Sequence, residues 1–174
     1  MRLRAVVLTL LLVVMVAAVV SFWPGQKPPA VISTPAQPKA EDELLQRHFD
    51  WATEQLRSGH FEQAINGFRA VLEQAPAMPE AWINTGFAQV ELKQYEQAAQ
   101  SFQTAIDLRP AQVNAYWGLA LSLEGLCDLP GAIGAMRTYV HLANDDDPFV
   151  RKARSALWEW EQIRDSGGEL CDSE

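Results

Sequence analysis

The first forty residues contain no side-chain carboxylate. All 22 acidic residues of this 174-residue chain lie at or beyond Glu41, where only 10 of its 14 basic residues are found. A domain so poor in positive charge has no basic face for phosphates, which argues against nucleic acid as a partner. Histidine and cysteine are scarce as well, at three and two. His48, His60 and His141 have neither an i, i+4 partner nor a nearby cysteine, so metal-ligand spacing is missing and no cofactor is expected. The run Asp145, Asp146 and Asp147 lacks the following Gly and Glu of a calcium loop and reads as a solvated helix start. Nucleophile-elbow, phosphate-loop and dinucleotide fingerprints are missing too, so an enzyme is not expected.

What is present begins with an apolar run. Arg2 and Arg4 precede nineteen uncharged residues, Ala5 to Trp23. As a helix this run is about 28 Å long, close to the ~30 Å hydrocarbon thickness of a bilayer. Arginines before it and a tryptophan at its end orient the N-terminus to the cytoplasm. The expectation is a transmembrane signal anchor over 1–23, single-pass in a bacterial inner membrane, with the remainder periplasmic. The rival reading is a cleaved signal peptide at Val16-Ala17-Ala18, leaving a secreted chain; the apolar run continues past that site, longer than most signal regions. No cysteine follows the run, so lipid attachment there is excluded. Residues 24–40 hold five prolines and suit an extended spacer reaching up to about 50 Å.

Beyond the spacer the chain repeats itself. FEQAINGFRAVLEQAP at 61–76 and YEQAAQSFQTAIDLRP at 95–110 are offset by 34 residues. The same interval relates Ala64, Ala98 and Ala132; Phe68, Phe102 and Met136; Ala52, Gly86 and Ala120; Trp82 and Tyr116; and Pro76 and Pro110. Fixed-period self-similarity decides architecture before individual helices do. Small residues fall where two helices must approach, large ones three or four places away on the same face, so each period predicts two amphipathic helices. Gly59 separates the first pair, and Pro76 and Pro110 end second helices.

These residues resemble the tetratricopeptide repeat family, whose pattern WINTGFAQVELKQYEQAAQSFQTAIDLRP (82–110) matches at nearly every place. The resemblance implies an all-α solenoid within 41–146, in three repeats at 45–78, 79–112 and 113–146. The outer repeats depart from the pattern: His48 replaces an aromatic, and Leu129, Met136, Tyr139 and Asn144 replace the aromatic, Phe, Ala and Pro of the third. Terminal repeats are commonly atypical. DDDPFVRKARSALWEWEQIRDSGG then predicts a capping helix over 147–165, with Asp147 as N-cap and Phe149, Ala153, Ala156, Leu157, Trp160 and Ile163 on one face. Trp158 lies off that stripe, and 166–174 is a flexible acidic tail. Cys127, in the turn of repeat three, and Cys171, after the capping helix, are expected at the same end of the stack, where an oxidising compartment would let them bridge.

The family binds peptides or partner helices in a concave groove lined by the first helix of each repeat. Its groove positions fall here on Phe49, Thr53, Ile83, Asn84, Phe87, Val90, Trp117 and Leu121, an apolar and aromatic row suited to hydrophobic anchors of a protein or peptide partner. The carboxylate clamp of one subclass is not expected, because its positions read Phe49, Thr53, Asn84, Asn114 and Gly118, and only Asn84 matches. The resemblance therefore implies a noncatalytic membrane-anchored adaptor of an envelope complex, of the cytochrome-c maturation, translocon-associated chaperone or pilus and secretion type. The alternative is a structural, homo-oligomerising module whose apolar row is buried in a self-interface.

Overall fold

The computed structural model describes residues 38–171 apart from Asp145. The anchor expected over 1–23 and the spacer residues 24–37 lie outside the described residues. Among the described residues no helix is long and apolar enough to cross a membrane.

Seven helices follow one another: α1 (Pro38–Arg57), α2 (Phe61–Gln74), α3 (Pro79–Glu91), α4 (Tyr95–Leu108), α5 (Val113–Gly125), α6 (Leu129–Leu142) and α7 (Val150–Asp165). Consecutive helices pack on each other, and α3 also lies beside both α1 and α5. The described part is thus an all-α stack of three helix pairs closed by a seventh helix. α1 begins at Pro38, three residues before the Glu41 boundary; proline is well suited to a first helical turn, where its missing N–H has no partner to lose.

The turn inside each pair has a single geometry. Gly59, Lys93 and Cys127 are spaced by 34 residues and all adopt positive φ, at 76°, 59° and 61°. After each first helix the following N–H reaches back five residues: His60 to Gln55 O, Gln94 to Gln89 O and Asp128 to Leu123 O, each at 2.9 Å. These are Schellman closures, which satisfy carbonyls that a helix end would leave open. Only Gly59 is chemically adapted to the left-handed conformation; Lys93 and Cys127 adopt it against their intrinsic preference.

The core is a chain of small clusters, each straddling a junction. Phe68 and Val71 of α2 pack with Ala52 of α1 and with Ala81 and Ala88 of the next pair. Phe102 and Ala105 of α4 pack with Ile83 behind and Ala115 ahead. Met136 and Tyr139 of α6 pack with Ala120 and with Val150, Ala153 and Trp160 of α7. Stability is therefore passed between neighbours, as in other stacked repeats.

α7 starts later than expected. Asp147 is not its N-cap; it lies three residues earlier, where Oδ1 accepts from the Phe149 N–H at 2.8 Å and Oδ2 accepts from the Tyr139 hydroxyl at 3.0 Å. The Val150 N–H bonds to Asp147 O at 3.1 Å, so a separate turn precedes the helix. Val150 takes the inward place expected of Phe149, which is exposed. Trp158 is exposed, as its place off the stripe predicts.

Candidate partner-binding face

Because α1, α3 and α5 lie side by side, their same-numbered positions make one face. Phe49 is partly buried, with its ring edge-on to Phe68 at 5.6 Å between centroids. Phe87 stands in the same relation to Phe102 at 5.0 Å, and Trp117 to Tyr139 at 5.2 Å. Each of these aromatics is braced by a ring from the second helix of its own repeat, which fixes its tilt and adds to its burial energy. Val90 and Leu121 are partly buried beside them. Thr53 has its hydroxyl committed to Phe49 O at 2.9 Å, whereas Asn84 is partly buried.

Ile83 stands apart. It is 6% exposed and belongs to the core cluster of Phe102 and Ala115. The row Phe49, Ile83, Trp117 is therefore interrupted in the middle, and in repeat two the apolar contribution to the face comes from Phe87 and Val90. The cause is local: α3 has a first helix on both flanks, while α1 has one on one side only.

The α7 end adds Phe149, which the sequence places on the inward stripe of the capping helix, and Lys152, which no motif marks. Phe149 lies against Trp117 with centroids 6.1 Å apart, and Lys152 Nζ sits 5.6 Å from the centre of the Trp117 ring. Val150 is 34 residues after Tyr116 and Arg151 is 34 after Trp117, so α7 continues the register of the first helices, although it packs on α6. At the column of small residues Ala52, Gly86 and Ala120, it carries Arg154. A cleft of ≈ 650 Å³ runs along α7 past Arg151, Arg154, Ser155 and Trp158. Trp160 Nε1 donates to Glu124 Oε1 at 3.2 Å and Arg137 pairs with Glu161 at 2.6 Å, holding α7 to α5 and α6.

Two groups have shifted acidity. Burial pulls the Glu80 carboxyl up, but its own backbone N–H, Arg109 and Gln112 together outweigh that and hold it below the ordinary carboxylate range. Burial, then the hydrogen bond and charge of Asp147, push the Tyr139 hydroxyl up to about 12. Among the described residues no group of three His, Cys, Asp or Glu side chains is placed to hold a metal.

Cys127 and Cys171 form a disulfide across 44 residues, with Cα atoms 5.6 Å apart. It ties the segment after α7 to the end of α5.

The tetratricopeptide repeat model matches residues 49–111 and again 88–147, together more than half of the chain. The chain belongs to the tetratricopeptide repeat family. It is 33% identical over 109 residues to human Superkiller complex protein 3 and 34% identical over 87 residues to the mouse protein. Those matches take in 62% and 46% of this chain but only 6% of either relative. Among solved structures, the type III secretion chaperone SycD of Yersinia enterocolitica, in complex with a peptide of the translocator YopD, superimposes with a TM-score of 0.67 at 18% identity, covering 70% of this chain and 95% of that one. The first tetratricopeptide domain of Spaghetti (RPAP3), bound to an HSP90 peptide, gives 0.64 at 18% identity, covering 70% and 93%. At such identities these two establish shared architecture alone.

Proposed function

We propose that this tetratricopeptide domain is an adaptor that receives a partner segment on the face of α1, α3 and α5, held to a bacterial inner membrane by residues 5–23 with the repeats in the periplasm. The observation carrying the reading is the braced aromatic set Phe49, Phe87 and Trp117, partly exposed along one side of the stack. A guest that covers two such side chains gains about 1.5–3 kcal/mol from each before ordering losses. Solved relatives of the same architecture hold peptides, which supports a peptide segment as guest. The disulfide suits an oxidising compartment, and with the apolar run of the N-terminus it favours the periplasm. Work in an envelope assembly, of the cytochrome-maturation, translocon or secretion type, follows from that location.

The test is photo-crosslinking of the full chain in cells, with the reactive side chain at Leu121 on the proposed face or at Gln103, exposed on α4. A specific adduct at Leu121 that is missing at Gln103, mapping to an apolar segment of one partner, supports the reading. Identical products from both positions, or none from Leu121, overturn it.

A further inference from the structure

Among the described residues the stack has one end closed by α7 and one end left open at α1 and α2. At the open end His48 and Trp51 of α1 and Gln63, Asn66, Gly67 and Ala70 of α2 line a cleft of ≈ 370 Å³. Trp51 is 51% exposed and Leu44, two turns earlier on the same stripe, 42%. Moved forward by one period, His48, Trp51 and Gly67 become Trp82, Thr85 and Ser101. Those three line one cleft with Ile65 and Leu72 of α2, and Thr85 and Ser101 are buried there. The surface of repeat one is thus the one that, in repeat two, is covered by the second helix of the repeat before it. Trp51 takes the place of Thr85 and lies over Gly67, where any Cβ would strike its ring.

We propose that a second copy of this chain covers this edge, the two α1 helices pairing antiparallel about a two-fold axis through Trp51. The other end cannot supply the match. α7 occupies it, with Arg154 where a further helix would need a small residue, so head-to-tail growth is blocked and an edge-to-edge pair closes on itself. The charge pattern of α1 is self-complementary about the same axis. Arg47 and Glu54 flank Trp51 at i−4 and i+3, both exposed. Antiparallel pairing centred on Trp51 sets each Arg47 opposite the Glu54 of the other copy, twice over. Among the described residues Arg47 has no ion pair, and Glu54 accepts only a long bond of 3.4 Å from the Ser58 hydroxyl. This inference uses none of the side chains of the proposed guest-binding face except through the shared α1, and stands whether or not a guest binds there.

Sedimentation of the full chain in detergent tests it. The expected result is a concentration-dependent dimer that Trp51→Glu weakens at least ~10-fold with helical content unchanged, while Arg47→Glu or Glu54→Arg alone weakens it roughly 10-fold by setting like charges together. The double reversal Arg47→Glu with Glu54→Arg restores the pairing to within about threefold of the starting chain. A chain that stays monomeric, a dimer indifferent to Trp51→Glu, or a double variant as weak as the single ones overturns the proposal. The rescue distinguishes a lost interface from a damaged fold. It also distinguishes pairing at this edge from association through the N-terminal apolar run, which none of these changes touches.

Discussion

The ring of Phe102 fills the space that a Cβ on Gly118 would need. It reaches α5 from α4, and the same end of the ring closes on Gly86 of α3, so one side chain joins three helices. Gly118→Ala is expected to destabilise the domain by about 2–3 kcal/mol, the usual consequence of forcing an extra carbon into a packed core. Gly134 of α6 is a matched control, with nothing within 4 Å of a new Cβ. Gly134→Ala is expected to stabilise by about 0.5–1 kcal/mol through helix propensity. Urea unfolding of the two variants checks both signs.

Lys93 holds a left-handed conformation that Gly59 holds in the preceding repeat. Lys93→Gly is expected to raise stability by about 0.5–1 kcal/mol, because relief of the steric conflict exceeds the added freedom of the unfolded chain. Gly59→Ala should lose a similar amount. Equal melting temperatures for Lys93→Gly and the starting chain would contradict the argument.

Tyr139 is buried and donates to Asp147. Its folded acidity is displaced upward from 10.0 to about 12, so the folded chain keeps a proton that the unfolded chain gives up. The associated stability is complete below the unfolded value of 10.0, and it is lost as pH rises towards 12. Tyr139→Phe should remove this alkaline decline while lowering stability at neutral pH through loss of the hydrogen bond. Denaturant titrations at pH 8 and pH 11 measure both effects.

Glu80 behaves in the opposite sense. Its lowered acidity, set against burial by its own backbone N–H, Arg109 and Gln112, gives stability that is present above the ordinary carboxylate range and is lost as pH falls through the folded value. The pair is exposed, so the effect is small and salt-sensitive. Glu80→Gln should flatten the acid limb slightly, and added salt should do the same to the unaltered chain.

Opening the Cys127–Cys171 bond releases a loop of 44 residues, and the expected loss is about 2–4 kcal/mol. The double change Cys127→Ser and Cys171→Ser should lose hydrogen-exchange protection in α7 first, since the bond ties the end of that helix to α5. Uniform loss across all seven helices would argue for a global effect instead.

Much of this was legible in the chain. The columns Ala52, Gly86, Ala120 and Phe68, Phe102, Met136 set the period, and a period of 34 with alternating faces leaves little choice of architecture. Pairing of the cysteines could be anticipated by counting helix directions. The left-handed turns at Lys93 and Cys127 could not, because only Gly59 announces that geometry by its side chain. The candidate face was half legible. Phe49, Phe87, Val90, Trp117 and Leu121 reach it, but whether a residue such as Ile83 faces outward depends on the rotation of α3 between its two flanking helices, and periodicity does not encode that angle. Residue type alone marks Asp147 as a cap; its carboxylate is instead divided between Tyr139 and the turn before α7.

Because each core cluster spans a junction and every junction copies the last, the middle of this molecule is interchangeable. Excising one 34-residue unit would bring α2 against a helix that already knows how to meet such a neighbour. The chain length is in that sense quantised: it can be shortened or extended in whole steps, whereas a few residues gained or lost inside one helix would turn its faces out of register with its neighbours.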